Sequence, residues 1–327
     1  MTAPVQTFHE RMEDKQSVFK TEVLDVKQMG LLKGKPYPHV LPEDAWSLNL
    51  WRDISYDAIR HFAQSDINWH PQKHSMLSSQ IMRVNILFPL KEHLNILHRW
   101  LQSCQFDVAE VTDLMFEYTN PRDYLNEKGE HGKPLPIADI AIKWTDTAKQ
   151  KNLLLLDIKF AESDFGVCTQ ENNPNPRRCF VSKKIVSSHK KQCYKSQMGR
   201  RYWDIILSSG SPLWKDSMTL ETHCPFRYDF FQLMRGQLIA HCMQYDKKSG
   251  FDKVESAVMY HAGNDDLLRM SHPFDKELNP LKAWSTLLQK PETFHAFTLQ
   301  DFFKAIESLL PFELTKWREY INQRYGV

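Results

Sequence analysis

Apolar positions change their rhythm along this chain, and each change marks an element. From Leu41-Pro42-Glu43-Asp44 onward, Trp46, Leu50, Ile54, Ala58 and Phe62 recur every four residues and draw one stripe on a helix. Proline and acids in a first turn suit its start, because the unpaired amides there favour negative charge. The run Ile67-Asn68-Trp69-His70-Pro71 ends it. A second helical region is predicted over 76–104, interrupted near Pro89, with Leu94, Leu97 and Leu101 as its later stripe. Residues 108–118 then read as a strand and 119–136 as a polar loop. Two more strand-like runs follow, 137–144 and 152–160, joined by a short polar turn. The second carries Leu153-Leu154-Leu155-Leu156, the signature of a strand covered on both faces. Helical spacing returns over 227–244 through Phe230, Phe231, Met234, Leu238 and Met243, with a strand at 254–260 and helices at 299–310 and 312–325. The organisation expected is an N-terminal arm over 1–40, a core over 41–262 and a helical C-terminal extension over 263–327 without a functional signal of its own.

Composition narrows the class without choosing a function. The 327 residues are 42% apolar and 25% charged, ordinary for a globular protein and enough to bury a sizeable core. No window approaches the ~18 uninterrupted apolar residues of a membrane helix. The polar, mixed-charge start is not an export leader, so the expected location is the cytoplasm, with the six cysteines reduced.

The candidate chemistry sits in the two strands that flank the turn. A strand has a side-chain period of two, so Asp157 and Lys159 share a face while Ile158 takes the other. If the two runs pair as a hairpin, Asp139 lies close to Asp157. Carboxylates where a core strand ends are costly to desolvate unless they meet a partner or a metal. The bland alternative is a strand-end ion pair between Asp157 and Lys159.

An aspartate followed on the next strand by Asp157-Ile158-Lys159 resembles the PD-(D/E)XK nuclease superfamily. Ala138 stands where the proline of that name would be, with Pro136 two residues earlier. The wider text is similar to a bacterial restriction-endonuclease-like subgroup. The blocks that carry the likeness are Leu77-Ser78-Ser79-Gln80, Asn85-Ile86-Leu87-Phe88-Pro89, Phe116-Glu117-Tyr118, Lys159-Phe160-Ala161-Glu162 and Phe231-Gln232-Leu233-Met234-Arg235. The resemblance implies an α/β fold with a restriction-endonuclease-like core, α-β-β-β-α-β, in which helices flank a mixed central sheet and helical N- and C-terminal additions surround it. It implies Mg²⁺ or Mn²⁺ at Asp139 and Asp157, hard ions that prefer oxygen ligands, and a water oriented by Lys159 to attack phosphorus. Glu117 would be a further acid of the site, unless it is a solvent-facing strand residue. Ser79, Gln80, Glu162 and Gln232, with Gln237 behind them, would support it from the neighbouring helices and loop, unless they are ordinary polar surface.

Partners are legible in local charge, since the net charge is only +2. Residues 172–203 hold Arg177, Arg178, Lys183, Lys184, Lys190, Lys191, Lys195, Arg200 and Arg201 and no acid, with Tyr194, Tyr202 and Trp203 interleaved. Cations without counter-charges repel unless a polyanion is near, and the phosphate backbone is the usual one. The aromatics are candidates for stacking on unpaired bases; a solvated basic loop is the alternative. Cys168, Cys179, Cys193 and Cys224 lack any C-x₂-C pair, so a zinc or iron–sulfur cluster is not expected. The function expected is metal-dependent hydrolysis of DNA phosphodiester bonds in restriction or defence. Alternatives are a nucleic-acid-binding protein with a nuclease-like fold, a repair or recombination enzyme, and an RNA nuclease. Symmetric cleavage of both strands would require two active sites, so a homodimer stays open.

Overall fold

The computed structural model describes residues 6–127, 135–168, 193–214, 224, 226, 230–269 and 278–327. The chain opens with helix α1 (Phe8–Val18) and a small hairpin, β1 (Gly30–Leu32) and β2 (Lys35–Tyr37). Helices α2 (Arg52–Gln64), α3 (Ser79–Leu87) and α4 (Leu94–Ser103) follow, then strands β3 (Glu110–Tyr118), β4 (Ala138–Thr145) and β5 (Lys151–Lys159). Short helices α5 (Tyr194–Gln197) and α6 (Tyr202–Ile206) lead to α7 (Phe231–Tyr245) and β6 (Lys253–Tyr260). The chain ends with α8 (Asp265–Leu268), α9 (Pro280–Thr286), β7 (Phe294–Thr298), α10 (Leu299–Ile306) and α11 (Thr315–Tyr325).

Strands β3 to β7 form one mixed sheet in sequence order. The pairs β3–β4 and β4–β5 are antiparallel, and a short turn joins β4 to β5. The pairs β5–β6 and β6–β7 are parallel, so the chain crosses over the sheet between them, and α7 lies in the first crossover. The four leucines of β5 explain why this strand is central. Leu154 and Leu156 face a core shared with Leu97, Trp100, Phe302 and Trp317, whereas Leu153 and Leu155 face a second core built on Leu233, Leu238, Trp203 and Trp284. Each leucine so buried contributes about 1.5–3 kcal/mol. The result is an α/β protein whose five-stranded mixed sheet is flanked by helices.

Three features differ from the sequence reading. The helix predicted from residue 41 is a 3₁₀ turn over Glu43–Asn49 and then α2, which buries Ile54, Ala58 and Phe62. Within 1–40, α1 carries a Thr7–Glu10 capping box and buries Phe8 and Met12 in the first core. Within 263–327, β7 extends the central sheet and α11 buries Trp317 and Ile321 in that same core. Their alternation is too short, or too interrupted by charges, to stand out in sequence.

Candidate active site

The hairpin register brings the predicted acids together. Ile140 pairs with Leu156, so the next step along the ladder sets Asp139 opposite Asp157. The two residues interlock through the backbone. Asp139 Oδ2 accepts from the Ile158 amide at 2.8 Å, and the Asp157 carboxylate accepts from the Asp139 amide. Asp157 and Lys159 continue the face of Leu153 and Leu155, toward α7, where Lys159 Nζ donates to Gln232 Oε1. Gly166 makes that contact feasible. Its φ is +92°, and a Cβ there would lie 2.5 Å from Gln232 Cγ and Cδ.

A second layer reaches Asp139 from β3 and α3. Glu117 lies between the pairs Phe116↔Ile140 and Tyr118↔Ala138, with a left-handed φ of +46°. Such a conformation in a non-glycine residue costs on the order of 1–3 kcal/mol and persists only where the surroundings fix it. Here Gln80 Nε2 donates to Glu117 Oε1 at 2.6 Å, and Arg83 Nη2 donates to the same oxygen. Arg83 Nη1 also pairs with Asp139 Oδ1 at 2.9 Å. Arg83 is only 6% exposed. Burial works against its charge, but Asp139, Glu117 and Asp157 more than offset this and hold the guanidinium cationic.

Burial raises the Asp157 pKa to about 6, and the neighbouring Asp139 adds to the rise, while Lys159 and Arg235 oppose it. The charged form of Asp157 is therefore costly here unless a further cation meets it. Asp139, Glu117, Arg83, Gln80 and Glu162 open onto a cleft of about 750 Å³, whose lining also includes His9, Tyr37 and His39. Asp157 sits behind, in a smaller crevice with Gln232 and Leu233.

The remaining predicted residues fall in several places. Ser79 lines the cleft at the start of α3. Gln80 also holds the loop before α3, accepting from the His70 amide at 2.6 Å and donating to Asn68 O at 3.1 Å. Glu162 accepts from the Phe160 amide at 2.6 Å, fixing the turn after β5. Gln237 lies in the core between Ser256 and Thr293. Of the basic window, Lys195, Arg200 and Arg201 are described, while Arg177, Arg178, Lys183, Lys184, Lys190 and Lys191 lie outside the described residues. Lys195 Nζ lies 5.9 Å from the Phe231 ring centroid, Arg200 donates to Asn126 O, and Arg201 is exposed. The expectation that Tyr202 and Trp203 stack on bases is corrected. They are 4% and 2% exposed, packed on Phe231 and Phe226, because they form the inward face of α6. Among the described residues, no three His, Cys, Asp or Glu side chains are arranged to hold a metal by themselves.

Arg83 went unread in the sequence, although a signal existed. It interrupts Ile81-Met82-Arg83-Val84-Asn85-Ile86-Leu87, and a charge on so apolar a helix has to meet a buried partner. Arg235 is the other case. It donates to Glu127 Oε2 at 2.6 Å and to Pro136 O at 3.0 Å, holding α7 to the loop before β4.

A mixed sheet flanked by helices, with acids and a lysine gathered where two central strands end, is compatible with a nuclease-like core. The chain belongs to the family described as Restriction Endonuclease associating with ARP, whose model matches residues 6–326. This membership points to a nuclease role in defence. No curated protein and no solved structure matches the chain. Among the described residues, no helix is long and apolar enough to cross a membrane.

Proposed function

We propose that this protein is a PD-(D/E)XK endodeoxyribonuclease that hydrolyses DNA phosphodiester bonds with Mg²⁺ or Mn²⁺. The observation that carries the reading is the interlock of Asp139 with Asp157 on one hairpin, with Lys159 on the same face. The strand order also supports it: α4, β3, β4, β5, α7 and β6 follow the α-β-β-β-α-β succession of that superfamily.

The donor set fits a hard divalent ion. Both candidates are carboxylates, and burial beside Asp139 disfavours the charged form of Asp157 unless a cation meets it. Asp139 and Asp157 would hold the ion, with water and substrate phosphate completing its coordination. When bound, it supplies water activation and charge stabilisation at phosphorus. The chain supplies the rest. Lys159, 8% exposed and aimed by Gln232, orients the attacking water and stabilises charge on the phosphoryl oxygens. Gln80 and Arg83 fix Glu117, so the acids keep their arrangement before substrate arrives. Arg201 and the basic residues of 172–203 bind phosphates without reading sequence.

The test is cleavage of matched DNA and RNA in Mg²⁺, in EDTA, and by Asp157→Ala in Mg²⁺. DNA cleavage lost in both controls supports the proposal. Cleavage that survives Asp157→Ala removes these acids from the mechanism, and preferential RNA cleavage replaces the substrate.

A further inference from the structure

Three acids and two bases converge where β4 and β5 end: Glu117, Asp139 and Asp157 with Lys159 and Arg83. Fully ionised, they leave one net negative charge. One divalent ion turns that into one positive charge, matched to a single phosphodiester. A second ion would need carboxylate oxygens of its own, and the pair available is Glu117 with Asp139. One guanidinium already holds an oxygen of each. Arg83 meets Asp139 Oδ1 at 2.9 Å and donates to Glu117 Oε1, whereas Asp139 Oδ2 accepts from the neutral Ile158 amide.

We infer that Arg83 is a resident counter-ion that limits the site to one divalent cation, filling between Glu117 and Asp139 the role a second ion would take. The inference rests on the proposed ion at Asp139 and Asp157. Two further observations distinguish Arg83 from an arginine placed for structure. Its Nε is buried without a hydrogen-bond partner, so the two acids alone set its orientation. It also lines the 750 Å³ cleft together with Asp139 and Glu117. A guanidinium stays protonated at every working pH, so the limit is permanent. Arg83 is therefore a positioning residue that sets how many ions the acids take.

Manganese binding tests this independently of cleavage. Titration of the full chain with Mn²⁺, read by calorimetry and by loss of the free-ion paramagnetic signal, is expected to give one ion for the wild type. Arg83→Gln is expected to bind two, and Arg83→Gln with Glu117→Gln to return to one. A wild type that binds none while Arg83→Gln binds one would uphold the role of Arg83 and remove the proposed ion at Asp139 and Asp157. An Arg83→Gln protein with wild-type stoichiometry and affinity overturns the inference. If Arg83→Gln folds poorly, Mn²⁺ is expected to raise its melting temperature more than that of the wild type or Arg83→Lys. Equal shifts overturn the inference as well.

Discussion

Among the described residues two arginines are buried, and their surroundings differ. Arg324 is fully buried in the first core with neutral partners: Nε donates to Gln16 Oε1 at 3.1 Å, Nη1 to Asn49 O at 2.6 Å, and Nη2 to Asn49 Oδ1. Phe19 and Tyr325 present their rings to it at 5.5 and 5.0 Å. Arg83 has two acids and an unpartnered Nε, and it lines the 750 Å³ cleft. Arg324 ties α11 to α1 and to the turn before α2, a task complete in the folded chain. Arg83 balances acids that face a solvent-filled space, so its environment changes when an ion or phosphate enters. Burial alone does not separate a structural charge from a functional one; the partners and the neighbouring cavity do.

The largest expected effect lies at the site. Lys159→Met should lower the cleavage rate by about 10²–10³-fold, because it removes a preorganised charge from the reacting centre. The measurement is single-turnover cleavage, with Mn²⁺ affinity retained as evidence that the acids are intact.

Next, Arg324→Met should destabilise the fold by about 3–5 kcal/mol, since Asn49 and Gln16 lose partners they cannot replace inside the core. Denaturant unfolding reads this, and cleavage per folded molecule should stay at the wild-type level. Equal loss of activity in the Arg324 and Arg83 variants, at equal folded fraction, would erase the distinction between the two arginines.

Asp157→Asn should act in the opposite direction on stability. In the folded chain this carboxyl holds its proton up to about pH 6, whereas in the unfolded chain it loses it near its ordinary value of 3.8. The folded state therefore binds more protons in that window, and its stability falls as pH rises through it. Asparagine removes this cost. A gain on the order of 2 kcal/mol is expected at pH 7.5, shrinking as pH falls through 6 and absent below about 4.

Gly166→Ala should cost about 1–3 kcal/mol, from a left-handed φ and a clash with Gln232. It should also slow cleavage by displacing the residue that aims Lys159, with Gln232→Ala showing the rate effect without the stability loss. The smallest effect is expected for Arg201→Ala, which should weaken DNA binding at all sequences alike and reduce the salt slope by about 1.

That Asp139 and Asp157 meet, with Lys159 on the same face, was legible in the sequence because a strand alternates strictly and a hairpin fixes its own register. The leucine run told where the buried strand ended, and the acid and lysine follow it directly. Arg83 was not legible as a site residue, since its partners come from strands 34 and 56 residues further on and nothing local encodes that meeting. Strand β7 was missed because five residues, Phe294–Thr298, show too little alternation. Tyr202 and Trp203 were misread because the cations around them suggested exposure, while the inward face of a short helix decided otherwise.

The most direct test of the central claim is plasmid cleavage in Mg²⁺ at pH 7.5 by Asp157→Asn beside the wild type, with both melting curves measured. The account predicts a wild type that cuts and is stopped by EDTA, and a variant that melts at a higher temperature yet does not cut. A variant that cuts as fast as the wild type, or a wild type that cuts equally well in EDTA, would contradict it.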